Sequence, residues 1–304
     1  MWLNQVLYQN DTDLIPSDRV RAIIAPHAGF AYSGPASAYA YKSVVTDQIE
    51  RVFILGPSHK IYLDSCALSK CSVYHTPLGS MELDEDIISS LKNTGHFSSM
   101  TLRADEDEHS IEMHLPFVQK IMERYILNSS NMFHNCRQSY KIIPILVGSL
   151  STSKLELYGT LFAPYLSDPK NLFVISSDFC HWGQRFSFTY TNGNAPIYKA
   201  IEELDRRGMN LIERLDSNGF AAYLQETGNT ICGRYPISVL LSMVDVLVQS
   251  QEKMRKADAD APTKDAHDSI KIRCKFTHYS QSSSAISLSD SSVSYASAYL
   301  YIDH

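Results

Sequence analysis

Leu172-Phe173-Val174-Ile175-Ser176-Ser177-Asp178-Phe179-Cys180-His181-Trp182-Gly183 carries the strongest structural signal in the chain. Its four opening apolar residues suit a strand covered on both faces. Ser, Asp, Cys, His and Trp then crowd into the loop that follows. In an open α/β sheet, the loops at the carboxyl ends of the strands are where such folds place their chemistry. Two earlier stretches repeat the arrangement. The apolar run 19–26 ends at His27, and Arg51-Val52-Phe53-Ile54-Leu55 is closed by Gly56-Pro57-Ser58-His59. Histidine therefore recurs in the same slot after three apolar runs.

Working outward, strand-like runs at 19–26, 51–55, 141–147 and 171–175 alternate with helical segments at 35–45, 84–94 and 151–166. That order predicts βαβ units with parallel strands. The expected fold is α/β, a single domain with a central, mostly parallel sheet flanked by helices. A further strand is read at 66–74. The acidic tract Asp105-Glu106-Asp107-Glu108-His109-Ser110-Ile111-Glu112-Met113-His114 leads into a helix reaching about residue 126. Helices follow at 197–209, 209–215 and 220–225. An apolar helix spans 236–248, with Pro236 at its first turn. Alternating strands at 270–279 and 292–302 are expected to pair. The polar stretches 128–139 and 251–269 read as surface loops.

Composition narrows the function classes. The 304 residues are 44% hydrophobic and carry a net charge of −6, without the clustered Lys and Arg of a nucleic-acid surface. No run approaches the roughly 18 apolar residues of a membrane span. The start, Met1-Trp2-Leu3-Asn4-Gln5, lacks the basic and apolar regions of a signal peptide. The six cysteines contain no C-x-x-C pair, so reduced thiols and a cytoplasmic location are expected.

If the strands 19–26, 51–55 and 171–175 are neighbours, His27, His59, Asp178 and His181 converge on one crevice. Two neutral imidazoles with an anionic third ligand make a site for a divalent transition metal. Any one of these histidines alone reads more simply as a former of loop hydrogen bonds. Three in equivalent positions raise the metal or catalytic reading to equal standing. Cys232 precedes Gly233-Arg234 at a helix entrance. On sequence alone it reads as a small buried hydrophobe, although a helix N-terminus can lower a thiol's pKa. Glu108, His109 and Glu112 stand at i, i+1 and i+4. On a helix, Glu108 and Glu112 would share a face, with His109 on their flank, ready to hydrogen-bond a metal ligand from behind.

Five blocks carry a family resemblance: Ala25-Pro26-His27-Ala28-Gly29, Leu55-Gly56-Pro57-Ser58-His59, Asp105 through Pro116, Ser177-Asp178-Phe179-Cys180-His181-Trp182-Gly183, and Asn229-Thr230-Ile231-Cys232-Gly233-Arg234. In this order they resemble the Memo family of mediators of ErbB-driven cell motility, which is similar to the class III LigB-type non-heme iron extradiol dioxygenases. The resemblance implies a LigB-dioxygenase-like domain in which His27, His59 and Cys232 hold one iron or copper ion. It also implies His181 as an acid/base group with Asp178 beside it, and Glu108, His109 and Arg234 around the pocket. A thiolate in place of the dioxygenases' carboxylate softens the ligand set and argues against ordinary ring cleavage. Memo proteins usually begin with a segment containing His-Ala-Gly-Ser-Trp-Tyr, expected to be missing from a chain that starts at Met1-Trp2-Leu3.

The implied function is a cytosolic, redox-capable metal-binding protein that links receptor tyrosine kinase signals to cell motility. One alternative is an adaptor without catalysis that binds a phosphorylated receptor tail, with Arg234 as the phosphate's partner. Another is an active dioxygenase on a catechol-like small molecule.

Overall fold

The computed structural model of the chain describes residues 2–6, 15–129, 140–193, 195–259 and 270–303. A short 3₁₀ turn at Trp2–Asn4 precedes β1 (Val20–Ala25), α1 (Phe30–Lys42) and β2 (Arg51–Pro57). Next come β3 (Cys66–Leu68), the hairpin of β4 (Val73–Thr76) and β5 (Gly79–Glu82), α2 (Glu85–Asn93) and β6 (Phe97–Ser99). Three helices follow in close succession: α3 (Leu102–Glu106), α4 (His109–Glu112) and α5 (Leu115–Ser129). The chain continues through β7 (Lys141–Val147), α6 (Thr152–Ser167), β8 (Asn171–Ser176) and the two-residue β9 (His181–Trp182). It ends with α7 (Ile197–Glu213), α8 (Ser217–Thr227), α9 (Arg234–Ala259) and the hairpin of β10 (Lys271–Gln281) and β11 (Ser292–Asp303).

The strand order of the main sheet is β10-β11-β1-β8-β2-β7-β3-β6, with β9 pairing to β11. Its centre, β1-β8-β2-β7, is parallel throughout, while β11 and β3 join it antiparallel. This is the α/β sheet read from the sequence. Every residue of β1 and β8 is buried, so both faces of these strands are covered, as continuous apolar runs require. α1 lies against β1, β10 and β11, whereas α6 and α9 pack on β8 and on each other. Among the described residues, no helix is long and apolar enough to cross a membrane, and the five cysteines at 66, 71, 180, 232 and 274 are free thiols.

Several expectations change. The run 66–74 is not one strand, because it breaks after Leu68. There the Ser69 hydroxyl donates to Asp105 (2.5 Å), and the chain leaves the main sheet for the β4–β5 hairpin. The acidic tract does not feed one continuous helix. Glu108 stops it by accepting the Ser110 N–H (3.0 Å) as the N-cap of α4. A cap lies outside the helix, so Glu108 and Glu112 do not share a face: the first is buried and the second exposed. The two helices read over 197–215 are the single α7, which ends before Leu215 with its positive φ of 57°. The stretch 251–269 is not all loop, since α9 runs on to Ala259, and 260–269 lie outside the described residues. Residues 128 and 129 close α5, and the remainder of 128–139, with Cys136, also lies outside them.

The α6 face that meets the sheet is aromatic. Phe162 lies 6.5 Å from Phe53 of β2, 6.3 Å from Phe173 of β8 and 5.7 Å from Phe97 of β6, all measured between ring centroids. Phe162→Ala leaves a void beneath three strands and is expected to cost about 3–5 kcal/mol. Urea unfolding of the variant beside the wild type measures it, and a loss within error of zero would mean that α6 collapses freely onto the sheet.

Candidate metal centre

The carboxyl ends of β1, β8 and β2 lie side by side, so the loops after them share one edge. His27 follows β1, His59 follows β2, and Asp178 with His181 follows β8. The turn before α9 brings Cys232 to the same place. One ligand atom from each of His27, His59 and Cys232 lies within 4.8 Å of the others.

Hydrogen bonds decide which ring nitrogens face inward. The Ser176 hydroxyl donates to the Ser110 carbonyl (2.6 Å), so at 2.6 Å from His27 Nδ1 it accepts that nitrogen's proton. His27 Nε2 therefore carries the ring's lone pair, which faces the Cys232 Sγ at 3.2 Å. Burial, with the histidines around it, drives the His27 pKa well below its ordinary value, which keeps the ring neutral. His59 is arranged alike. Glu108 accepts both its backbone N–H (2.7 Å) and its Nδ1–H (2.9 Å), again leaving Nε2 bare. Burial would raise the Glu108 carboxyl, but these bonds from His59 and that from Ser110 hold it down to about 2. A carboxylate behind a histidine is the usual support for a metal-ligating imidazole.

The loop after β8 forms the third wall. The Asp178 carboxylate accepts the backbone N–H groups of His27 (2.9 Å) and Ala28 (3.2 Å), and its other oxygen lies 4.0 Å from His27 Nε2. Burial pushes its pKa up, opposed by His181 and by those two N–H groups. The Asp178 N–H points at the Cys232 sulfur (3.2 Å). Burial and the Asp178 charge raise the Cys232 thiol well above the usual range, so without a cation nearby it stays protonated. His181 Nδ1 lies between the carbonyls of Phe179 (2.9 Å) and Thr230 (3.1 Å), which fixes the proton there and frees Nε2.

His109 also reaches the crevice: its ring stacks 4.6 Å from His59 and meets His27 edge-on at 5.5 Å. Burial lowers its pKa, as does the neighbouring His59. Arg234 faces another cleft, though its charge still reaches the Cys232 thiol and pulls its pKa down. Its guanidinium donates to the Ile231 carbonyl (3.2 Å), lies over the Tyr235 ring, and lines a separate cleft of about 490 Å³ with Thr230 and Gln225. Cys180 is fully buried, and burial carries its thiol above the usual range. Ser176 and Thr230, which orient His27 and His181, gave no separate signal in the sequence. A serine ending a strand and a threonine in a turn are ordinary there.

Two imidazole lone pairs and a sulfur converging at this spacing fit a soft-to-borderline transition metal. The chain is also similar over most of its length to known proteins. A family profile described as "Memo-like protein" matches residues 2–299. The zebrafish (Danio rerio) protein MEMO1 is 47% identical over 283 residues, which cover 93% of this chain and 86% of that protein. Human (Homo sapiens) MEMO1 is 46% identical over the same shares. The memo-1 homolog of Caenorhabditis elegans is 46% identical over 93% of this chain and 73% of its own length.

The Cys232 turn rests directly on the end of β8. A Cβ at Gly233 would lie 2.4 Å from the Ser176 carbonyl oxygen and 2.3 Å from the Ser177 Cβ. Gly233→Ala is therefore expected to push Cys232 away from His27 and to destabilise the fold by about 1–3 kcal/mol. Denaturant unfolding reads the loss, and an unchanged midpoint would show that the turn has slack.

Proposed function

This chain belongs to the Memo family, and from that membership and the crevice we propose that it is a cytoplasmic protein whose His27, His59 and Cys232 hold one iron or copper ion. The observation that carries the reading is the convergence of three ligand atoms within 4.8 Å, two of them lone pairs freed by Ser176 and Glu108. When bound, such an ion supplies a one-electron redox centre. The chain's own groups prepare for it. Ser176 and Glu108 fix the two rings, and Asp178 lays a carboxylate beside His27. His181 offers Nε2 as a proton acceptor for a small molecule in the crevice, whose identity the proposal leaves open. The thiol donor favours redox or metal-handling roles over ring cleavage.

A signalling role goes with this reading. The family's link between receptor tyrosine kinases and cell motility is carried over on identities of 46–47% with MEMO1 proteins. In it, Arg234 would read a receptor tail's phosphate from its own cleft rather than from the histidine crevice.

Two measurements follow. Protein expressed with iron or copper should carry one ion per chain by elemental analysis. His59→Ala and Cys232→Ser should lose it, and Glu108→Gln should weaken binding about 10–100-fold; equal metal content in all four would overturn the assignment. In calorimetry, a phosphorylated receptor-tail peptide should bind more tightly than its unphosphorylated form, and Arg234→Ala should abolish the difference. Equal binding of both forms by the wild type would end the receptor reading.

A further inference from the structure

One buried acid has no part in the crevice itself. Asp205, in the middle of α7, is fully buried. Its sequence neighbours do not neutralise it. Arg206 pairs with Glu202 (2.8 Å) and Arg207 with Glu226 (2.9 Å). Its partners are instead hydrogen-bond donors from four other parts of the chain, the Ser294 hydroxyl of β11 among them. Oδ1 accepts the backbone N–H of Cys180 (3.2 Å), in the loop that carries Asp178 and His181. The same oxygen accepts the Asn229 side-chain amide (2.9 Å), in the turn that leads to Cys232. Oδ2 accepts the Tyr279 hydroxyl of β10 (3.0 Å). Tyr279 in turn accepts the Gln281 amide (2.9 Å), which leaves its proton for Asp205. Asn229 is held from a second side, because its amide also donates to the Tyr223 hydroxyl (2.7 Å).

We propose that Asp205 is a positioning residue that locks the His181 loop to the Cys232 turn and so sets the sulfur at its distance from His27. One oxygen bridges the two loops. The locked pair then matches bond for bond: Thr230 Oγ1 accepts the His181 N–H (2.7 Å) and donates to the His181 carbonyl (3.0 Å), and the Asp178 N–H meets the Cys232 sulfur. An amide at 205 offers one oxygen for donors that now meet two, and it turns an N–H₂ toward one of them. Burial pushes the Asp205 carboxyl up to about 6 against the pull of these bonds, so its ionisation opposes folding as the pH rises toward neutrality. This inference deepens the metal-site reading and rests on it only for the metal arm of the test.

The test compares the wild type with Asp205→Asn. Native-state iodoacetamide alkylation is followed cysteine by cysteine by peptide mass spectrometry. Cobalt(II) is titrated in parallel through its thiolate charge-transfer absorption. The variant is expected to fold, to alkylate Cys232 about tenfold faster through local opening of the turn, and to bind cobalt at least about tenfold more weakly. Cys66, buried on β3 away from the lock, should keep its wild-type rate. A folded variant with wild-type alkylation at Cys232 and wild-type cobalt affinity overturns the proposal. Equal acceleration at Cys66 and Cys232 also overturns it, because that is general loosening. Should Asp205→Asn fail to fold, Asn229→Ser cuts the link to the Cys232 turn together with the Asn229–Tyr223 bond and leaves the Cys180 link in place, and an unchanged Cys232 rate there overturns the lock. If the wild type binds no cobalt, the metal reading fails and the alkylation arm alone decides the role of Asp205.

Discussion

β8 pairs in parallel with β1 on one side and β2 on the other, in register from Ala22–Phe173 through Ala25–Ser176 and from Arg51–Asn171 through Leu55–Ile175. Parallel strands in register end at the same level, so three loops far apart in sequence open onto one edge. His27 and Asp178, which are 151 residues apart, meet there at 2.9 Å. A strand slipped by one residue would turn every side chain to the opposite face. The site is thus a consequence of sheet pairing before it is a consequence of any loop.

The polar groups at that edge stand in contrast with the rest of the interior. Much of the remaining interior is apolar, as in the Phe53, Phe162 and Phe173 cluster beneath α6. Around the crevice lie buried His27, Glu108, His114 and Asp178. Burying such groups opposes folding unless hydrogen bonds compensate. The compensation here is specific: Glu108 takes three donors and Asp178 two from the backbone. His114 keeps one bond, to the Tyr41 hydroxyl (2.8 Å), and burial lowers it to about 3. Burial favours the neutral rings of His27 and His114, and hydrogen bonds favour the Glu108 carboxylate, whereas burial pushes the Asp178 carboxyl up.

How much of this the sequence discloses depends on the kind of signal. The parallel strands are plain because burial on both faces forces continuous apolar runs, and the histidines are plain because they repeat one slot. Glu108 is misread as a helix-face residue because a cap and a first-turn acid look alike in a row of acidic residues; only the bond to Ser110 separates them. Cys232 is invisible to periodicity, since a lone cysteine reads as a small buried hydrophobe, and only the family resemblance brings it forward. Asp205 is hidden further still. It stands in Glu203-Leu204-Asp205-Arg206-Arg207, a run that reads as a solvated helix face, and the residues that bond it come from loops 25 and 24 positions away and a strand 74 away.

That last case bears on where the precision of the site comes from. The histidines sit close to strand ends and inherit their positions from the sheet, with Ser176 itself the last residue of β8. Cys232 has no strand behind it. Its turn hangs between α8 and α9, held by Gly233 against Ser177 (3.2 Å), by Thr230 against His181, and by Asn229 against Asp205. A ligand carried on a turn must take from side-chain bonds the order that a ligand after a strand takes from the ladder. The polar groups behind Cys232 supply that order, and because Gly233 rests on the end of β8, a change in the turn is felt at the sheet edge as well.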